Sequence, residues 1–363
     1  METSREIGTG QRVKLNLAPY ISTGASPTLF PGQIIGVDAT NPSGLSLNVS
    51  MIHYPPELAY PITTSGELKT YYKDADRTTN IVVCAGPYTL EDSLGYEPLE
   101  DLAKAIEMDA PDVVIMMGPF IDVEHIFIVD GLVDCTVSDL FREKIVPRLR
   151  RILCARPALK LILVPSIRDA CMEWVAFPQP PICAGLDDSE RRDRLVELGL
   201  ANIDNLFLFP NPVQFQVNEL VVGVSTLDVL LEMNAEQVMT GPSGGVDRIS
   251  MQFEHILQQR SFYPLFPPAS NSNLDTARAL ATPGPAHVDV RLDLLIVPSK
   301  LKPCAKIVGD TVGINPGSLA RGRSAGTFSR IVVHPLYIPG EEDDGVCNQH
   351  GATDRVRVEV VKI

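Results

Sequence analysis

Five apolar runs constrain the fold of this chain more than any other feature. They are Ile81-Val82-Val83-Cys84-Ala85-Gly86, Val113-Val114-Ile115-Met116-Met117-Gly118-Pro119, Leu161-Ile162-Leu163-Val164-Pro165-Ser166, Leu220-Val221-Val222-Gly223-Val224-Ser225 and Leu294-Leu295-Ile296-Val297-Pro298-Ser299. Near-continuous runs of this length read as strands buried on both faces, typical of parallel α/β sheets. In such sheets chemistry gathers at the carboxyl ends of the strands. A hydrolase that holds metal ions would place Asp, His and Asn there. Here those places read Cys84, Pro119, Ser166, Ser225 and Ser299. An enzyme's scaffold is expected, with most of the chemical groups missing.

The flanking pattern supplies the rest of the fold class. Before residue 60, Val13 to Leu17, Ile34 to Asp38 and Leu45 to Val49 are short alternating segments joined by Gly/Pro turns. They predict a small antiparallel β unit, incomplete as it stands. Pro55-Pro56 and the polar stretch to Thr79 read as a linker. From Asn80 onward strands alternate with helices, at Leu94 to Met108, Val137 to Ala155 (with Pro147 as a kink), Glu190 to Leu200, Leu227 to Met233 and Arg248 to Gln259. Ile307 to Asn315, Thr327 to Val333 and Val356 to Ile363 are expected as strands of a second packed sheet. Thr240 to Gly245, Pro264 to Pro285 and Leu336 to Thr353 are expected as mobile loops.

Charge and cysteine usage exclude several functions. The formal net charge of −14 repels phosphate backbones, so little direct nucleic-acid binding is expected. The basic run Arg142 to Arg151 reads as a solvated helix face, and Arg321 to Arg330 is the other local basic candidate. Seven cysteines without a CxxC pair signal neither a zinc knuckle nor a redox dithiol, and fit a reducing compartment. Cys84 and Cys154 are expected as buried thiols. The polar opening from Met1 to Gly10 is no signal peptide, and no run approaches membrane-spanning length. A soluble intracellular chain without membrane contact is expected.

The candidates for chemistry are sparse. The six histidines form neither an HxH nor an HExxH pair, and each reads as a surface or locally bonded residue. Metal clusters need several ligands within about 2–2.6 Å of one ion. Asp122 and Asp169 lie just beyond strand ends and admit two readings: a surviving metal pair, or loop caps with an ion pair to Arg168. The second is favoured, because two carboxylates without histidine make a weak site. Gly241 to Gly245 lacks the Lys-Ser/Thr of a phosphate loop, and the strand-end serines lack the Gly-x-Ser-x-Gly elbow. Phe30 and Tyr54 have the chemistry to stack on bases, but core or turn packing is the favoured role.

A set of ordered motifs carries a family resemblance. They are Leu29-Phe30-Pro31-Gly32-Gln33, Cys84-Ala85-Gly86-Pro87-Tyr88-Thr89, Pro111-Asp112-Val113 with Gly118-Pro119-Phe120-Ile121-Asp122, and Val164-Pro165-Ser166-Ile167-Arg168-Asp169. Phe177-Pro178-Gln179-Pro180-Pro181, Phe209-Pro210-Asn211-Pro212, Gln259-Arg260-Ser261-Phe262-Tyr263-Pro264-Leu265, Asn315-Pro316-Gly317 and Gly326-Thr327-Phe328 follow in order. Together they resemble the B subunits, the second or accessory subunits, of eukaryotic DNA polymerase alpha–primase, from about Leu29 to Ile363.

The resemblance implies an α/β calcineurin-like phosphoesterase fold, two packed sheets flanked by helices and catalytically degenerate, preceded by a partial OB-fold barrel. It divides the chain into an OB fold over 1–60, a linker over 61–79 and an inactive phosphoesterase-like domain over 80–363. The former metal positions would fall at Cys84, Gly86, Gly118, Pro119, Asp122, Ser166, Arg168, Asp169, Ser225 and Asn315, with no catalytic, cofactor or metal role left. It further implies a nuclear scaffold without a cofactor. Its partners would be the zinc-containing C-terminal domain of the catalytic subunit and the primase subunits. The family's amino-terminal helical domain is expected to lie outside this sequence. Exposed loop aromatics Phe262, Tyr263 and Phe266 are candidate contacts. Two other functions compete: a phosphoesterase using Asp122 and Asp169, and a single-strand nucleic-acid binder working through the β unit.

Overall fold

The computed structural model describes residues 1–3, 8–72, 77–239, 247–270, 272–336 and 344–363. Two sheets packed face to face form its centre. The first has six strands, in the order Val356–Lys362, Thr327–Val333, Thr79–Ala85, Val113–Met117, Lys160–Val164, Leu206–Leu208. The last four run parallel, Ile81 beside Val113 and Val113 beside Lys160. The second has five, in the order Val213–Val217, Leu220–Val224, Leu294–Ile296, Thr311–Asn315, Cys304–Val308. The five apolar runs are all strands, but they divide between the sheets, three in the first and two in the second.

Three apolar layers follow from strand alternation. Ile81, Val83 and Ala85 face the second sheet and meet Val222, Val224, Leu294 and Ile296. Val82 and Cys84 face the other way, onto Leu99, Leu102 and Ile106 of helix Glu97–Asp109. Pro98 and two glutamates in its first turn favour that helix, and its three core side chains each contribute about 1.5–3 kcal/mol by burial. On the far side of the second sheet, Phe253 and Ile256 of helix Arg248–Gln258 cover Val221 and Leu295. The architecture is α/β, two packed sheets flanked by helices.

Several expectations need correction. The 61–79 stretch carries strand Ile62–Thr64, paired with Cys347–Gln349, and helix Ser65–Tyr71 with Leu68 fully buried. A capping box between Thr64 and Glu67 starts that helix. Ile307 to Asn315 is not one strand. Cys304–Val308 and Thr311–Asn315 form a hairpin, turning at Gly309 with φ +57°. Val137 to Cys154 stays helical past Pro147 by widening to a π turn over Phe141–Ile145. Pro147 has no amide hydrogen to return to the preceding turn.

Pro264 to Pro285 contains helix Thr276–Ala279, with Ala279 buried. Leu336 to Thr353 contains strand Cys347–Gln349, while Thr240 to Gly245 falls outside the described residues. Of the loop aromatics, Phe262 and Tyr263 are buried and only Phe266 is exposed. Cys154 is exposed, not buried. His125 and His350 are buried and hydrogen-bonded, whereas His255 is buried with neither ring nitrogen bonded among the described residues.

Before residue 60 the described residues include a three-stranded sheet of Lys14–Asn16, Ser46–His53 and Gly36–Thr40, and it is mixed rather than antiparallel, because Lys14–Asn16 runs parallel to Ser46–His53. Thr28–Leu29 instead pairs with Val238–Met239 of the main body. Phe30 is buried there against the His255 ring, at 5.0 Å between centroids, so its role is packing. No helix among the described residues is long and apolar enough to cross a membrane.

Candidate functional site

The parallel strands of both sheets end at one rim, and a cleft of about 310 Å3 opens there. Gly86, Gly118, Pro119, Ser166 and Arg168 line it, as the strand ends suggested. Lys300, Asp228 and Glu232 also line it and were not anticipated. Signals for them existed: Lys300 follows the Pro298-Ser299 strand end, and Asp228 and Glu232 stand four apart on a helix edge.

The two glycines are demanded by close approach. A Cβ on Gly86 would lie 2.0 Å from the Pro119 carbonyl oxygen, and one on Gly118 would lie 2.1 Å from Asp169 Oδ2. Neither position has room for a metal-binding side chain. Gly118→Ala is expected to destabilise the protein by about 1–3 kcal/mol through overpacking, read by urea denaturation. A neutral result would show that the rim yields.

Asp122 and Asp169 are both buried and used structurally. The Asp122 carboxylate accepts the Arg168 guanidinium, with Nε at 3.1 Å, and the Glu124 amide at 3.0 Å. Arg168 also reaches Glu124 at 2.8 Å. Asp169 accepts three backbone amides: Phe120, Ile121 at 3.2 Å and Ser166 at 2.8 Å. Burial drives the Asp169 carboxyl up to about 7, opposed by those three donors and reinforced by the Asp122 charge. Asp122 and Asp169 face each other across a single β bridge, and neither lines the cleft.

The remaining positions do not converge. The Cys84 thiol points into the helical layer, 3.7 Å from both the Tyr88 hydroxyl and the Ile115 carbonyl. Burial pushes it up to about 12. Alternation turns Ala85 toward the second sheet, and Gly86 is the residue of this strand end that lines the cleft. The Ser166 hydroxyl accepts from the Arg168 amide at 3.3 Å. Ser225 is fully buried, and its hydroxyl has no partner among the described residues. Asn315 clips two loops, its Oδ1 accepting the Ser299 and Gly317 amides at 2.9 Å each. Among the described residues, no three His, Cys, Asp or Glu side chains are grouped to hold a metal ion.

Several of the ordered motifs are bonded to one another. The Asn211 amide nitrogen donates to the Gln179 side chain at 3.0 Å, and the Thr327 hydroxyl donates to the Pro316 carbonyl at 2.7 Å. The Phe266 amide donates to the Pro31 carbonyl at 3.0 Å. A family model for the B subunit of DNA polymerase alpha/epsilon matches residues 81–306, which include the Asn211–Gln179 clip. The chain belongs to that family.

Curated relatives agree. The DNA polymerase alpha B subunit of Schizosaccharomyces pombe is 34% identical, over 100% of this chain and 60% of its own length. The proteins of the same name in Mus musculus and Saccharomyces cerevisiae are 32% and 28% identical, over 91% and 99% of this chain and 50% and 55% of theirs. The chain thus spans between half and three-fifths of these relatives. Among solved structures, an archaeal phosphodiesterase is 11% identical, covers 78% of this chain and 100% of its own, and gives a TM-score of 0.31. Vacuolar Protein Sorting 29 from Cryptosporidium parvum also gives 0.31, at 11% identity over 79% of this chain and 99% of its own. Likenesses this slight carry no argument.

Proposed function

We propose that this chain is a non-catalytic accessory subunit of the DNA polymerase alpha–primase complex, acting in the nucleus as a scaffold that supports initiation of DNA replication. It binds the zinc-containing C-terminal domain of the catalytic subunit and helps tether polymerase to primase. Its body is a phosphoesterase-like unit without chemistry, and the three-stranded sheet before residue 60 is part of an OB fold. The observation that carries the reading is the use of Asp122 and Asp169 as structural acceptors at the rim, where a dinuclear centre would need free lone pairs. The net charge of −14 supports attraction of a basic partner domain and weak direct contact with nucleic acid.

The test is twofold. The purified chain should co-elute with the zinc-containing domain of a DNA polymerase alpha catalytic subunit. It should also leave bis(p-nitrophenyl) phosphate intact in the presence of Mn2+. Turnover abolished by Asp122→Ala would sink the reading in favour of a phosphoesterase. Failure to co-elute at low salt would remove the scaffold role.

A further inference from the structure

One short turn at the surface is apolar on every side. Residues 123–133 leave the rim of the first sheet, pass through the helical turn Ile126–Val129 and fold back at Gly131, where φ is +65°. On the inside, Ile128 packs on the helical layer, and Phe127 lies against the His125 ring at 5.4 Å between centroids. On the outside, Val123 and Ile126 are 40% and 47% exposed, and Val129 and Leu132 66% each. A helix that is hydrophobic all round is a buried one. The outer side of this turn has no cover among the described residues.

Polar bonds underneath hold the turn in place. His125 Nδ1 accepts the Phe127 amide at 3.2 Å, so Nε2 carries the hydrogen and meets the Leu90 and Ser93 carbonyls at 2.9 and 3.2 Å. The Leu132 amide donates to the Phe127 carbonyl at 2.8 Å, and the Val123 amide to the Arg168 carbonyl at 2.9 Å. Side chains presented from a fixed backbone have less freedom to lose on association. The border of the patch is acidic. Asp130 stands one helical turn beyond Ile126, and Asp134 follows Leu132 by two residues. Both are exposed and carry no ion pair among the described residues. No Lys or Arg occurs between Lys104 and Arg142. The cations that adjoin the turn are already matched. Arg168 is held by Asp122 and Glu124, and Arg323 lies 3.7 Å from Asp92. Glu91 reaches the same hairpin at Gly322, next to Arg321. Lys300 lines the cleft with Val123, but so do Glu124, Asp228 and Glu232.

We propose that the outer side of the 123–133 turn docks a basic amphipathic helix of a partner protein. An exposed apolar patch rimmed by polar groups marks an interaction site. Ile126 and Val129, three residues apart, form a ridge of the kind that fits the groove of a facing helix. Burial of Ile126, Val129 and Leu132 supplies the affinity. Asp130 and Asp134 pair with Lys or Arg flanking the apolar face of that helix, and as exposed charges they select the partner more than they tighten it. This docking goes beyond the accessory role, because it assigns a contact that the zinc-containing domain need not fill.

The probe is a fluorescein-labelled helical peptide with Leu along one face and Lys and Ala elsewhere, titrated against the full chain by fluorescence anisotropy. Its control has Glu in place of every Lys. The Lys peptide should bind, more weakly as salt is added, and slow hydrogen exchange over 123–133. Val129→Ser combined with Leu132→Ser should cost about tenfold in affinity or more, through lost apolar burial. Asp130→Asn combined with Asp134→Asn should cost about threefold and flatten the salt dependence. Both pairs alter side chains that are exposed, so the fold is kept. Equal binding of the Glu peptide, protection elsewhere, or unchanged affinity in the serine variant overturns the proposal. Concentration-dependent dimerisation that the serine variant abolishes assigns the patch to a second copy, and overturns it too. Loss of co-elution with the zinc-containing domain in the serine variant places the patch inside that interface and removes the separate partner. Failure of the native chain to co-elute sinks the accessory role and leaves the peptide titration readable, so the two readings fail separately.

Discussion

Asp169→Ala is expected to lower the unfolding free energy by about 3–5 kcal/mol. The carboxylate holds the amides of Phe120, Ile121 and Ser166, and its own residue is only 2% exposed. Each buried amide left without an acceptor costs about 1–3 kcal/mol, and water from the adjoining cleft recovers part of that sum. The same residue gives stability a pH dependence. Its folded value of about 7 lies above the ordinary value of 3.8, so the neutral form is favoured in the folded state. The contribution is therefore fully present below about pH 4 and is lost as pH rises through about 7. Asp169→Asn cannot ionise, so the advantage of the native protein over it should shrink from pH 5 to pH 8, by an amount on the order of a few kcal/mol. Urea denaturation across that range reads both effects. An advantage that grows with pH would mean that the three amide donors outweigh burial.

The strands were legible because both of their faces are covered. Val113 to Met117 is buried at every position, so its sequence is apolar at every position. Gly86 and Gly118 were legible as strand-end positions, and close backbone approach explains why both are glycine. Cys84 shows where this kind of reading stops. It is two residues from the rim-lining Gly86, but its thiol points into the helical layer. Polar composition concealed helix Ser65–Tyr71, although Thr64 and Glu67 spelled its capping box. An apolar run across 307–315 concealed the Gly309-Asp310 turn. Long-range pairs lay beyond a local pattern altogether. Leu29 to Gln33 and Gln259 to Leu265 read as separate motifs, yet the Ile34 amide donates to the Gln259 side chain at 2.7 Å. A Cβ on Gly32 would come within 2.4 Å of the Phe266 amide nitrogen. Such motifs stand in a fixed order along the chain because their partners are one another.

Arg355→Met should cost about 3–5 kcal/mol, because it leaves a charge buried without its partner. Glu219 is fully buried, with one oxygen 2.5 Å from the Arg355 guanidinium and both oxygens 2.8 Å from the Tyr72 hydroxyl. Arg355 also donates to the carbonyls of His350 and His334, at 2.7 Å each. His350 continues the network, with Nδ1 2.7 Å from Asp293 and Nε2 2.8 Å from the Thr63 hydroxyl. These bonds tie the 62–72 segment and the C-terminal strand to the second sheet, so the loss is spread over three parts of the chain. Pairing Arg355→Met with Glu219→Gln removes the orphaned charge and keeps an acceptor for Tyr72. The double variant should recover at least half of the loss, a coupling that a double-mutant cycle measures by denaturation. Recovery is the decisive term. A single variant as costly as expected, with no relief in the double, would mean that Arg355 acts through its carbonyl bonds and packing, and that Glu219 is held by other means.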